Sequence, residues 1–232
     1  MKKLLLGLIA ICLLTVNLNS QEGFKGRPIT SNVWMQSGYT LHGGEIMIGL
    51  GPIAFGVTEN VQLETNLLLF FLQFYNASAK VSIFKEKENA LAVGATYLHF
   101  DLGSLIDLGD NNLTFDAIQP FITYTTSIND KFKVHAGATY SYFSGDAEIE
   151  DAKASSNVTG TSVSAGLEYS ISNKTKILGD CAYDITFKGI RPGAAVLFGW
   201  ETFRLKLGLG YYSMDKDDFV LPVIDLWWRF SL

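Results

Sequence analysis

The chain has 232 residues, with 23 Asp and Glu against 18 Lys and Arg and a formal net charge of −5. An acidic balance without any basic run argues against nucleic acid as a partner. Of its two cysteines, Cys12 falls in an N-terminal leader, so Cys181 stands alone and neither an intramolecular disulfide nor a cysteine metal site can form.

The leader comes first. Lys2 and Lys3 precede an apolar run from Leu4 to Val16, followed by small and polar residues up to Ser20. Thirteen residues is too short for a spanning helix and suits a secretory signal peptide, with cleavage expected before Gln21. The expected organisation is therefore a signal peptide over 1–20 and one domain over 21–232. The mature chain of 212 residues loses two lysines, which takes its net charge from −5 to −7. Its longest apolar run, Leu67 to Leu72, is only six residues. If the mature protein lies in a membrane it must cross as strands, and only a closed barrel satisfies every backbone group there.

After a polar lead over 22–28, period-two segments alternate with turn residues. Strands are expected over 30–41, 45–57, 61–70, 75–85, 90–101 and 117–127. Six more follow over 132–143, 158–171, 175–187, 192–199, 203–212 and 219–230, and no helical period is present. Thr58-Glu59-Asn60, Glu86 to Asn89, Asn129-Asp130-Lys131 and Ser172-Asn173-Lys174 read as short polar turns. The connections 103–116 and 144–158 read as long loops. Alternation of long and short connections is the habit of outer-membrane barrels. Counting back from a periplasmic C-terminus makes 45–57 a strand running inward and 30–41 the strand before it, although 30–41 is polar for that role. The expectation is an all-β transmembrane antiparallel up-and-down barrel of 12 strands, with 10 as the alternative.

One face of each later strand is apolar. Val163, Leu167, Tyr169 and Ile171 oppose Ser162, Ser164, Gly166 and Glu168; Ile177, Cys181, Tyr183, Ile185 and Phe187 oppose Lys176, Asp180 and Asp184. Aromatic residues make up 13% of the chain, and tyrosines gather near strand ends, which favours apolar residues outward against lipid. The residues expected to line the lumen are then Glu64, Lys80, Lys133, His135, Glu168, Asp180, Asp184, Arg204, Lys206, Asp225 and Arg229. Their mixed signs suit a salt-bridged filling as well as a selective wall. Twelve strands lie between a filled eight-stranded barrel and a wide sixteen-stranded pore. Gly160, Ser162, Ser164, Gly166, Gly208 and Gly210 are small enough to leave room along the wall.

The chain closes on Val220, Pro222, Ile224, Leu226, Trp228, Phe230 and Leu232 on one face. This resembles the closing strand of a bacterial outer-membrane barrel, except that such proteins usually end on Phe. Together with Gly38-Tyr39-Thr40-Leu41, Phe55-Gly56-Val57-Thr58, Phe187-Lys188-Gly189, Phe198-Gly199-Trp200-Glu201 and Leu226-Trp227-Trp228-Arg229-Phe230, it resembles a group of exported Bacteroidetes-type outer-membrane β-barrel proteins. The resemblance implies fold and location, with no catalytic residue and no cofactor. It also implies outer-membrane lipids as surroundings, and Trp228, Phe230 and Leu232 as the signal read by the barrel-assembly machinery.

Two functions follow as expectations: a narrow porin-like channel for small solutes, slightly favoured, and a closed structural or surface-interaction barrel. A minor third, a lipid acyl hydrolase, would use His99 and Asp101 on one face with Ser104 beyond them. No serine is singled out by its spacing, so the chain reads as a non-enzyme. Carboxylates at Asp146, Glu148, Glu150 and Asp151 lack the spacing of a calcium loop, and no metal site is expected. The sequence sets no oligomeric state.

Overall fold

The computed structural model describes residues 24, 27–101, 112–149, 152–214 and 217–231. The expected signal peptide and Leu232 lie outside these residues. Twelve strands form one closed antiparallel barrel in which each strand pairs with its sequence neighbours and the first pairs with the last. They are β1 (Glu45–Gly49), β2 (Pro52–Thr58), β3 (Val61–Asn66), β4 (Phe74–Lys85), β5 (Asn89–Asp101) and β6 (Asn112–Asn129). The remainder are β7 (Phe132–Ile149), β8 (Ala152–Ser170), β9 (Thr175–Asp184), β10 (Gly189–Gly199), β11 (Phe203–Met214) and β12 (Asp217–Ser231). We call the end that carries Glu45 and Ser231 the lower rim, and the end at the β7–β8 hairpin the upper rim.

The count of twelve holds, but its members differ from those expected at the N-terminal side. The segment 30–41 is no wall strand. It has no apolar face to give to lipid, because Ser31, Asn32, Gln36, Ser37 and Thr40 interrupt both registers, and it lies inside the barrel. The twelfth strand comes instead from 45–57, which breaks in two at Gly49-Leu50-Gly51-Pro52, so β1 rises from the lower rim and only β2 descends. Gly44, at φ 74°, turns the chain out of the lumen into β1, a backbone conformation that favours glycine.

Two further expectations need correction. Residues 144–158 are no loop. β7 and β8 pair from Phe132↔Tyr169 as far as Ile149↔Ala152, and β6 already contains 112–116 of the other long connection. Polar residues can sit in a hairpin that rises beyond the apolar belt, so polarity alone did not mark its end. A single helical turn, α1 (Leu67–Phe71), also follows β3, where the Asn66 side chain accepts from the Leu69 amide at 3.3 Å. Leu68, Phe70, Phe71 and Leu72 are exposed there, extending the apolar outer surface above the short strands β2 and β3. The four short polar turns lie where the sequence placed them.

Alternation decides which face is out. Val163, Leu167, Tyr169, Ile177, Tyr183, Leu207, Leu209, Ile224 and Phe230 are exposed, while Ser162, Glu168, Lys176, Asp180, Arg204, Lys206 and Arg229 are buried. Apolar residues point outward and charged ones inward, the reverse of a soluble barrel around a greasy ligand. Phe187 is an exception to its expected face, since it sits in the β9–β10 turn and lines the upper cavity. Trp228 is on the outward register yet buried, its ring 5.0 Å from that of Phe203.

Cys181 shares the outward face with Ile177 and Tyr183 and is free. In protein reconstituted into bilayers it is expected to resist a membrane-impermeant maleimide, whereas Ser141→Cys, on the upper lumen wall, should label. Rapid labelling of Cys181 without detergent would mean that β9 is inverted.

Candidate functional site

A chain segment without strand partners still carries one N–H and one C=O per residue, and inside a barrel these must find partners on the wall. Residues 30–37 first satisfy themselves as a small hairpin, with the Ser37 amide donating to Thr30 O at 2.9 Å and the Asn32 amide to Met35 O at 2.8 Å. At its tip three successive amides converge on one oxygen, Oδ2 of Asp180 on β9: Val33 at 3.0 Å, Trp34 at 2.7 Å and Met35 at 3.1 Å. Such a cradle of consecutive amides suits a carboxylate.

The wall supplies the other partners. Lys80 Nζ donates to Thr30 O at 2.9 Å and to Gln36 Oε1 at 3.2 Å. From the opposite side Lys206 Nζ donates to Asn32 O at 2.9 Å and is paired with Asp225 at 2.8 Å. The Asn32 amide side chain donates to the wall carbonyls of Leu167 and Gly179, both at 3.2 Å. Further along, the amide of Gly38 donates to Thr125 Oγ1 at 2.8 Å and that of Leu41 to Gln62 Oε1 at 2.9 Å. Residues 28–41 therefore form a plug bonded to β3, β4, β6, β8, β9, β11 and β12.

Packing matches the hydrogen bonds. Of the small inward positions that suggested an open lumen, Gly166 and Gly210 are pits that receive plug side chains, as is Gly193, whereas Ser162 and Ser164 line the cavity above the plug. A Cβ added at Gly210 would meet the Trp34 ring at 2.2 Å, one at Gly193 would meet Val33 at 2.6 Å, and one at Gly166 would meet Met35 Sδ at 2.9 Å. Apolar clusters lie within the barrel: Phe24 and Ile29 with Leu178, Ala195 and Leu197, and Leu41 with Met47 and Ala54. Fully burying a side chain such as Leu41 contributes roughly 1.5–3 kcal/mol. A pocket beside the plug near the lower rim, between Ile29, Met47, Leu197 and Trp227, holds about 20 Å³, barely one water.

The sequence-derived lumen residues fall into three groups. Asp180, Lys80, Lys206 with Asp225, and Arg229 hold the plug. Arg229 forms a two-point ion pair with Glu45 across the β1–β12 seam, at 2.8 and 2.7 Å, and donates to Pro28 O at 2.7 Å. A second group is bonded within the wall or to plug rings. Glu168 pairs with Lys176 and lies 4.0 Å from His135 Nε2, while His135 Nδ1 meets Thr125 Oγ1 at 2.8 Å. Glu64 accepts from Gln62 at 2.9 Å, and Lys133 stands over the Tyr39 ring at 4.6 Å. Arg204 donates to the carbonyls of Trp200 and Phe203 and faces the Phe24 ring at 4.8 Å. Asp184 alone lies above the plug, where its Oδ1 accepts from the amides of Thr186 and Phe187 at 3.0 and 2.8 Å.

No protein-family model matches the chain, and no curated protein matches it. Among solved structures, the crystal structure of Ail, the attachment invasion locus protein of Yersinia pestis, is 10% identical, with 81% of this chain and 99% of that one covered at a TM-score of 0.36. The CymD monoaromatic hydrocarbon channel is 9% identical over 81% of this chain and 86% of its own, at 0.42, and the KdgM porin is 10% identical over 81% and 99%, at 0.37. All three are outer-membrane β-barrels. At such scores they decide nothing about the site, and the closed barrel here rests on its own strand pairing.

Above the plug the lumen opens into a cup of about 570 Å³, floored by Trp34, Met35 and Gln36. Sequence reasoning missed its one inward arginine, Arg191, because the strand was started after it at Pro192. Glu45 was missed too, being the first residue of a strand whose faces had been read as continuous with 50–57. On the outer wall, His99 Nδ1 lies 3.0 Å from Asp116 Oδ1, which also accepts from the Tyr97 hydroxyl. Asp116 is thus an acid neighbour of His99 that the hydrolase reading did not include, and Ser104 lies outside the described residues. At the lower rim the side chain of His42 and the amide of Gly43, each 3.1 Å away, hold the Glu59 carboxyl below the usual carboxylate range.

The seam pair yields a sharp expectation. Glu45 and Arg229 are both almost fully buried. Removing Arg229 leaves the buried Glu45 carboxylate with only the longer ion pair to Arg27, at 3.4 Å, so Arg229→Leu should destabilise the folded barrel, by up to about 3–5 kcal/mol in urea titrations. The double variant Glu45→Leu/Arg229→Leu should lose much less. Equal losses in single and double variants would show that the charge pair is not what closes the seam.

Proposed function

We propose that the protein is an integral outer-membrane barrel held closed by its own N-terminal segment, with the lower rim in the periplasm and the cup facing outward. The outward apolar surface, the inward charges and the leader support the location, and the resemblance to Bacteroidetes-type barrel proteins agrees with it. Outer-membrane lipids would surround the exposed apolar residues, and the terminal strand with Trp228 and Phe230 would be read by the assembly machinery. The observation that carries closure is the convergence of three plug amides on Asp180, flanked by Lys80 and Lys206 on plug carbonyls.

Closure displaces the open-channel reading from first place. The charges that would have lined a selective wall are engaged with the plug or with one another, and mixed signs follow from the need to meet both amides and carbonyls. A narrow channel keeps one supporting observation. The plug is bonded to the wall mainly through side chains, not as a strand of the sheet, so it could leave without unzipping the barrel.

Planar-bilayer recordings test the proposal. The wild type should show no steady conductance. Asp180→Asn/Lys80→Gln/Lys206→Gln should show openings, as should Gly210→Leu, which needs the space of the Trp34 ring. A wild type that conducts as well as these variants would overturn closure.

A further inference from the structure

The cup has a chemical character that closure does not explain. Its floor is the tip of the plug, and its walls carry Phe115, Phe121, Phe143 and Phe187, with Thr139, Ser141 and Ser164 between them. Its volume, about 570 Å³, lies within the range of small-molecule sites, which join apolar walls to a few placed polar groups. One of those groups is out of balance. Around and below the plug, Lys80, Lys176, Arg204, Lys206 and Arg229 all donate to a carbonyl or a carboxylate.

Arg191, inward on β10 and half-buried, has neither a hydrogen bond nor an ion pair among the described residues. It sits beside Ala182 in register, two residues along the inward face from Asp184. Asp184 does not fill its fork, since the two form no ion pair and Asp184 Oδ1 accepts from the amides of Thr186 and Phe187. A guanidinium lining a cup whose walls also carry aromatic rings, with its fork unfilled, matches a carboxylate that can take two parallel N–H donors. The nearby Asp184 would repel a second negative charge on the same ligand.

We propose that the cup binds a small organic acid with one carboxylate and an apolar body, the carboxylate held by Arg191 and the body resting against Phe115, Phe121 and Phe187. The floor of this site is the plug itself, but binding does not depend on whether the barrel ever conducts.

Calorimetric titration of the purified full-length protein in amphipol tests this with three probes: 4-phenylbutyrate, its neutral counterpart 4-phenylbutyramide, and the dianion phenylsuccinate. The monoanion should bind at least about tenfold more tightly than the amide, as expected for a charge-assisted hydrogen-bonded pair, and more tightly than the dianion. Arg191→Gln should bring the acid down to the affinity of the amide and leave the amide unchanged, and Arg191→Lys should recover part of the loss. Gel mobility before and after heating checks that each variant is folded. Equal binding of acid and amide, an unaffected Arg191→Gln, or no binding of the acid at millimolar concentration would overturn the proposal. A conducting wild type that still binds the acid through Arg191 would refute closure and leave this site standing.

Discussion

The rest of the structure depends on the backbone of residues 28–41, which runs through a closed barrel with almost no sheet partners of its own. Each buried amide and carbonyl left unpaired there would cost about as much as a lost hydrogen bond. The wall answers with charged and polar side chains aimed inward. Asp180 takes three amides, Lys80 and Lys206 take carbonyls from two sides, and Gln62 and Thr125 each take one further amide. Charges that would be unstable in an apolar lumen are stable here because the plug supplies the opposite ends of their hydrogen bonds. The dependence is mutual, since removing the plug would leave Lys80 without the plug carbonyl it now holds.

This reciprocity accounts for features that otherwise look unrelated. Glycines cluster on the inward faces of β8, β10 and β11 because Met35, Val33, Trp34 and Phe24 occupy the space their side chains would need. Apolar residues are buried at the centre of the barrel, as Phe24, Ile29 and Leu41 bring a small core into what would otherwise be an aqueous channel. The seam between β1 and β12 joins the two systems, because Arg229 binds Glu45 across the sheet and Pro28 O on the plug. Strand length varies around the wall as well: β1 to β3 have 5 to 7 residues, whereas β6 to β8 have 18 or 19. The apolar turn α1 adds exposed Leu and Phe surface above the short side.

Much of this was legible from period-two alternation. The apolar faces of β8, β9, β11 and β12 and the four short turns could be read because lipid on one side and polar groups on the other impose the strictest pattern a strand can carry, whereas the count of twelve held because 45–57 supplies two strands where 30–41 supplies none. The plug could not be read in the same way. A segment enclosed by protein on all sides has no uniform face, so Thr30 to Leu41 looked only like a poor strand. Its polarity was the signal, and Gly49-Leu50-Gly51-Pro52 was the matching signal that 45–57 turns back on itself. The β7–β8 hairpin was read as a loop because the pattern of lipid contact ends before the hydrogen-bonded ladder does. Single residues such as Asp180 were placed on the correct face without their partners, since three amides from 146 residues away leave no mark on local spacing. Arg191 was lost to a strand boundary set at Pro192, three residues after the strand begins at Gly189.

The central claim, that residues 28–41 are folded into the lumen and held there by the wall, is tested most directly by amide hydrogen exchange on the folded protein in lipid. The account predicts that the amides of Val33, Trp34, Met35, Gly38 and Leu41 exchange as slowly as those of the neighbouring wall strands, and that Asp180→Asn speeds exchange at residues 33–35 before it affects β9. Exchange of these five amides at the rate of an unstructured peptide in the wild type would contradict it.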